Sequence, residues 1–134
     1  MLRPRKTAGL RHVALFVQAF EDTEAFYTEC MGMEVEWRPD ADNVYLTSGN
    51  DNLALHRSAT LPENGKLDHI GFFIDQIEAV DEWYAYLNNQ GIDILTQPRT
   101  HRDGARSFYC LDPSATRVQI IYHPPISERD AAKA

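Results

Sequence analysis

Arg11-His12-Val13-Ala14-Leu15-Phe16-Val17 returns, fifty-seven positions on, as Asp68-His69-Ile70-Gly71-Phe72-Phe73-Ile74. Each copy places a histidine second in a short apolar run, and each run leads into a helix-like segment that stops at a glycine, Gly32 or Gly91. Self-similarity at a fixed period is the mark of a duplicated supersecondary unit. Matched histidines on matched strands can face one another across a pseudo-twofold axis, which is a simple way to build a metal site.

Outward from the first copy, residues 10–17 read as a buried strand. Phe26, Tyr27, Cys30 and Met31 then fall at helical spacing in a segment from Glu21 to Met31, which Gly32 caps. Strands are expected at Glu34–Trp37, Val44–Thr47 and Leu53–His56, between the turn signals Pro39-Asp40 and Gly49-Asn50. The second copy repeats this order. Its helix is expected from Asp75, with Glu78 closing a capping box and Ile77, Val80, Tyr84 and Leu87 as the buried stripe. Strands follow at Ile92–Leu95, Arg106–Leu111 and Arg117–Tyr122, and a polar linker from Ser58 to Lys66 joins the copies. Pro124-Pro125 and the tail to Ala134 lie outside the scheme. The expected fold class is α+β: one domain of two βαβββ modules, about 10–57 and 67–123, forming a curved mixed sheet around a central cleft.

At 134 residues, with 43% apolar content, seven Gly and seven Pro, the composition is that of an ordinary globular domain with loose ends. A net charge of −7 repels nucleic acid and anionic membrane, and Arg3, Arg5 and Lys6 are too few to reverse that field. No stretch reads as a signal peptide or a membrane span, so the expected location is the cytoplasm. Cys30 and Cys110 lack zinc-like spacing and read as reduced, largely buried thiols.

Side chains alternate along a strand, so the runs sort by parity. His12 shares a face with Ala14 and Phe16, and His69 shares one with Gly71 and Phe73. In the last strand of each module, His56 lies opposite Leu53 and Leu55, and Gln119 opposite Val118 and Ile120. With first and last strands bordering the cleft, His12, His56, His69 and Gln119 all point into it. Three imidazoles and an amide oxygen suit a divalent Fe, Mn, Co, Ni or Zn ion. Each histidine alone reads better as a hydrogen-bonded core residue; it is the shared register that favours metal. Trp37, Tyr45, Phe73 and Trp83 are expected in the core or cleft wall, and His123, at a strand exit beside Pro124, at the surface.

Several motifs together resemble the vicinal oxygen chelate superfamily, which includes glyoxalase I, extradiol ring-cleaving dioxygenases, fosfomycin-resistance proteins and bleomycin-binding proteins. They are the paired modules, the His-Val-Ala and His-Ile-Gly openings, Phe26-Tyr27 before Gly32-Met33, and Asp112-Pro113-Ser114 before a Val-Gln-Ile strand. The resemblance covers residues 10–123 and implies that His12, His56, His69 and Gln119 occupy the metal-ligand positions. Glyoxalase I-like enzymes carry glutamates where His56 and Gln119 stand, and an amide cannot serve as their proton-transferring base. In extradiol dioxygenases two histidines and one carboxylate hold iron, so Gln119 replaces an anion there. The stretch from His101-Arg102-Asp103 to Ser107-Phe108-Tyr109 resembles the part of those enzymes that contacts substrate oxygens. That assigns Tyr109 a hydrogen bond to substrate and His101 a proton-shuttling role, although His101 to Gly104 also reads as a plain solvated turn.

The leading expectation is a metal-dependent enzyme for a small molecule with vicinal oxygens, most like a ring-cleaving dioxygenase. A glyoxalase-like lyase or isomerase and a metal-free binding protein of the bleomycin-resistance kind are the alternatives. The resemblance also implies a homodimer, with no nucleic-acid or membrane partner.

Overall fold

Residues 1–60, 65–113 and 115–133 are described by the computed structural model. Leu61 to Asn64 of the Ser58–Lys66 linker, Ser114 of the Asp-Pro-Ser motif and Ala134 lie outside the described residues. The chain divides into two units, Arg11–His69 and Met1–Leu10 with Ile70–Ala134.

The first unit follows the order β1 (Gly9–Val17, from Arg11 on), α1 (Phe20–Ala25), β2 (Glu34–Asp40), β3 (Asn43–Thr47) and β4 (Asn52–Arg57). Its strands lie side by side as β2-β3-β4-β1. β1 and β4 run parallel, and the other two pairs antiparallel. Alternation then sorts the side chains. Leu15, Val17, Val44, Leu46, Leu53 and Leu55 pack on Phe20 and Tyr27, while the other face carries His12, Asn52 and His56. Burying each of these apolar side chains contributes roughly 1.5–3 kcal/mol. Arg57 ties α1 down, with its guanidinium 2.8 Å from Asp42, paired with Glu21, and 4.6 Å above the Phe20 ring.

The second unit repeats that connectivity with β5 (Leu67–Phe73, from Ile70 on), α2 (Ile77–Asn89), β6 (Arg99–Thr100), β7 (Arg106–Leu111) and β8 (Arg117–Tyr122), side by side as β5-β8-β7-β6. β5 and β8 are parallel, as β1 and β4 are. Val80, Trp83, Tyr84 and Leu87 of α2 pack on Phe72, Phe108, Val118 and Ile120. Arg106 grips Asp81 of α2 through two bonds of 2.8 Å.

Five expectations are corrected. The segment from Ile92 to Leu95 makes only a single bridge, Ile94 with Cys110, and the edge strand is Arg99–Thr100. The N-cap of α2 is Gln76, which makes no side-chain capping bond, so the Asp75–Glu78 box is not formed. Cys30 is exposed, whereas Cys110 is buried. The tail forms α3 (Pro124–Lys133), because proline is at home in a first helical turn where N–H groups lack partners anyway. Ile126 of α3 packs on Phe73, Ala105 and Ile121. His123 is therefore buried too, stacked on Phe73 at 5.5 Å, with its backbone N–H bonded to Ser127.

Candidate metal centre

Phe16 N–H donates to Lys66 O at 2.7 Å, which lays the start of β5 along β1 within the first unit. The two repeat histidines meet there. His12 Nε2 and His69 Nε2 are 2.8 Å apart, and both residues are only 5% exposed. Their protons can be placed by counting donors. Glu36 Oε1 accepts from Asn52 Nδ2 at 3.0 Å, which turns the amide so that Asn52 Oδ1 faces His12 Nδ1 at 2.8 Å. An amide oxygen only accepts, so His12 Nδ1 carries hydrogen. His69 Nδ1 likewise faces a carboxylate, Asp68 Oδ2, at 3.0 Å. Both rings therefore turn acceptor nitrogens toward each other, and a contact of 2.8 Å between acceptors needs positive charge shared between them.

A proton on one ring satisfies that need, and so does a metal ion. Two metal–imidazole bonds of about 2.0–2.1 Å at a right angle place their nitrogens about 2.9 Å apart, so the pair fits adjacent positions on a first-row divalent ion. Carboxylate and amide partners on the opposite nitrogens are what orient metal-binding imidazoles and raise their basicity. Glu36, Asn52 and Asp68 were not singled out in the sequence. Glu36 sits where the β2–β3 register slips between Val35 and Trp37, and a bulge of this kind re-aims a side chain. Asp68, next to a repeat histidine, was the one signal within reach.

Register separates the other candidates. In the first unit His12 lies opposite Asn52, Ala14 opposite Ala54, and Phe16 opposite His56. In the second, Gly71 lies opposite Gln119 and Phe73 opposite Ile121. Moving Ala14 along by the fifty-seven-residue repeat gives Gly71, so the counterpart of Gln119 is Ala54, and that of His56 is Ile121. His56 thus lies four residues beyond Asn52 on β4, bonded through Nδ1 to Asn43 Oδ1 at 2.6 Å. Burial pushes its imidazole below the ordinary 6.5, against a smaller upward pull from Asp68 and Asp40. Among the described residues no group of three or more His, Cys, Asp or Glu forms a metal cluster.

Gln119 is 5% exposed and belongs to the second unit. Its Nε2 donates to Ser107 Oγ at 3.1 Å, while its Oε1 is buried with no hydrogen-bond partner. An orphaned buried acceptor costs about 1–3 kcal/mol, which a ligand would offset. Ser107 Oγ is also 3.3 Å from His101 Nε2, so a short polar chain runs from the exposed His101 to Gln119. His101 does close the expected turn, taking Gly104 N–H on its carbonyl and giving its own N–H to Ala105 O. Tyr109 is half-buried and lies opposite Gln119 in the β7–β8 register, on the face of Ser107.

The two-module fold and the paired imidazoles define a class, the duplicated βαβββ proteins with histidines on equivalent strands. The chain belongs to the Glyoxalase/Bleomycin resistance protein/Dioxygenase superfamily, whose family model matches residues 9–120. It is similar to the metallothiol transferase FosB of Staphylococcus saprophyticus, at 27% identity over 84% of this chain and 75% of that one. Its fold is shared with the 2,3-dioxygenase LapB from Pseudomonas sp. KL28, with a TM-score of 0.75 and 21% identity over 87% of this chain. The Mn(II)-bound glyoxalase from Novosphingobium aromaticivorans shares it too, at 0.73 and 20% over 87%. The matched part spans 43% of LapB and 39% of that glyoxalase.

Proposed function

We propose that the protein is a metal-dependent enzyme for a small molecule that offers two adjacent oxygen atoms, with His12, His69 and Gln119 as its metal ligands. The observation that carries this reading is the imidazole pair, anchored through both Nδ1 atoms with its Nε2 atoms 2.8 Å apart. The buried Oε1 without a partner supports Gln119 on the chemistry of its own surroundings. Fe, Mn, Co, Ni and Zn all suit such a donor set. When bound, the ion stabilises negative charge developing on substrate oxygens. In this reading Asn52 and Asp68 hold the two rings, Tyr109 hydrogen-bonds a substrate oxygen, and His101 moves a proton at Ser107 Oγ.

Ring-cleaving dioxygenation is the leading reaction, because two imidazoles and one neutral oxygen donor leave positions for a chelating substrate and for dioxygen. Proton-shuttling isomerisation of the glyoxalase kind is disfavoured on register. The equivalent positions on β4 and β8 carry Ala54 and Gln119, and neither is a base. The likeness to the S. saprophyticus protein favours metal-dependent thiol transfer as a second reading.

The test is anaerobic reconstitution with Fe(II), followed by oxygen uptake on a panel of catechols. Parallel assays follow thiol consumption with an electrophilic acceptor and hemithioacetal isomerisation. Oxygen uptake that disappears in His69→Ala supports the first reading, whereas thiol consumption without oxygen uptake supports the second. Metal titration is the direct check on the ligands. His12→Ala and His69→Ala should each lose high-affinity binding, and Gln119→Glu should tighten it by adding an anion; weaker binding in that variant contradicts the role of Gln119.

A further inference from the structure

The arrangement that orients His12 is built a second time around His56. Asp40 accepts from Asn43 Nδ2 at 2.9 and 3.1 Å, which turns Asn43 Oδ1 toward His56 Nδ1. Carboxylate, amide and imidazole follow in the order seen at Glu36, Asn52 and His12. By the same count of donors His56 carries its hydrogen on Nδ1, so Nε2 is an acceptor. No group among the described residues hydrogen-bonds that nitrogen. The ring is half-buried, between Phe16 and Tyr45 at centroid distances of 6.2 Å, with Trp37 stacked on Tyr45 at 5.3 Å. The face is shared with His12. Four residues at about 3.3 Å each put His56 about 13 Å farther along β4 than the residue opposite His12.

We propose that His56 is a second recognition point, where Nε2 accepts a hydrogen bond from an O–H or N–H group on the ligand's end remote from its metal-chelating oxygens. The ligand is then elongated, with an oxygen pair at one end, a donor at the other and a flat or apolar body against Phe16 and Tyr45. The inference rests on the proposed metal site for its other end. A metal role does not fit, since His12 has Asn52 opposite it instead.

The experiment uses the full chain loaded with Zn(II), which is redox-inert. Catechol, 4-alkylcatechols and their terminally hydroxylated counterparts are titrated over a series of tail lengths. At one tail length the hydroxyl should improve Kd about tenfold over the methyl-terminated tail. In His56→Phe that preference should vanish, with the Kd of unsubstituted catechol unchanged. No preference at any length in the wild type, or its survival in His56→Phe, overturns the assignment. Nitrogen-15 NMR of the His56 ring provides an independent measurement: Nδ1–H is expected, and an Nε2–H tautomer overturns the proposal. Failure of plain catechol to bind counts against the proposed metal site alone, and His56 is then decided by its tautomer.

Discussion

Glu36, Asn52 and Asp68 decide where the protons of His12 and His69 sit, and Ser107 Oγ accepts from the amide of Gln119. If these side chains hold a metal as proposed, removing such a partner leaves the side chain in place and loosens its aim. Asn52→Ala should weaken divalent metal binding roughly 10–100-fold with secondary structure unchanged. Ser107→Ala should do the same and Ser107→Thr should restore it; equal affinity in wild type and Ser107→Ala would show that the amide needs no anchor. His56 makes a pH prediction of its own. Because burial lowers its folded pKa below 6.5, the unfolded chain takes up the proton first as pH falls. The stability it preserves is complete above about pH 6.5 and is lost as pH drops through the lowered value. Denaturant titrations across that window should show a shallower decline for His56→Gln.

At the scale of elements, the ends of α2 show what glycine contributes. Gly91 has φ 77°, and no described atom lies within 4 Å of the place a Cβ would take, so only backbone strain opposes a side chain there. Ile92 N–H and Gly91 N–H return to Leu87 O and Asn88 O, closing the helix. Gly91→Ala should cost about 1 kcal/mol in chemical denaturation, and Gly91→Asn less. Both modules were legible in the sequence, since apolar alternation and the repeat histidines are local patterns. The second strand of module two reaches farther than expected: Ile92–Leu95 touches β7 through one bridge at Ile94, and the ladder with β7 is made by Arg99–Thr100. Parity likewise told which face His56 occupies but not how far along it lies, because alternate residues share a face and only the pairing of β1 with β4 sets the register. Pro124-Pro125 read as an ending, and only the packing of Ile126 on Phe73 shows it to be a beginning.

For the whole molecule, a charge of −7 favours small cations near its surface and disfavours polyanions. Among the described residues no helix is long and apolar enough to cross a membrane. If the imidazole pair holds an ion only when folded, metal at a hundred times its Kd adds about 2.7 kcal/mol of stability. A thermal melt with Zn(II) or Co(II) should then rise by roughly 10 °C in the wild type and not in His12→Ala. The homodimer implied by family resemblance is open to sedimentation, and there the location of Cys30 matters. It is the exposed thiol on the wide turn Phe26–Cys30, whereas Cys110 is buried and its thiol is pushed up in pKa. Air oxidation would therefore couple two chains through Cys30, and a covalent pair of that origin would be mistaken for a native assembly. Weighing the particle in the presence of a reductant, or as Cys30→Ser, separates the artefact from true association.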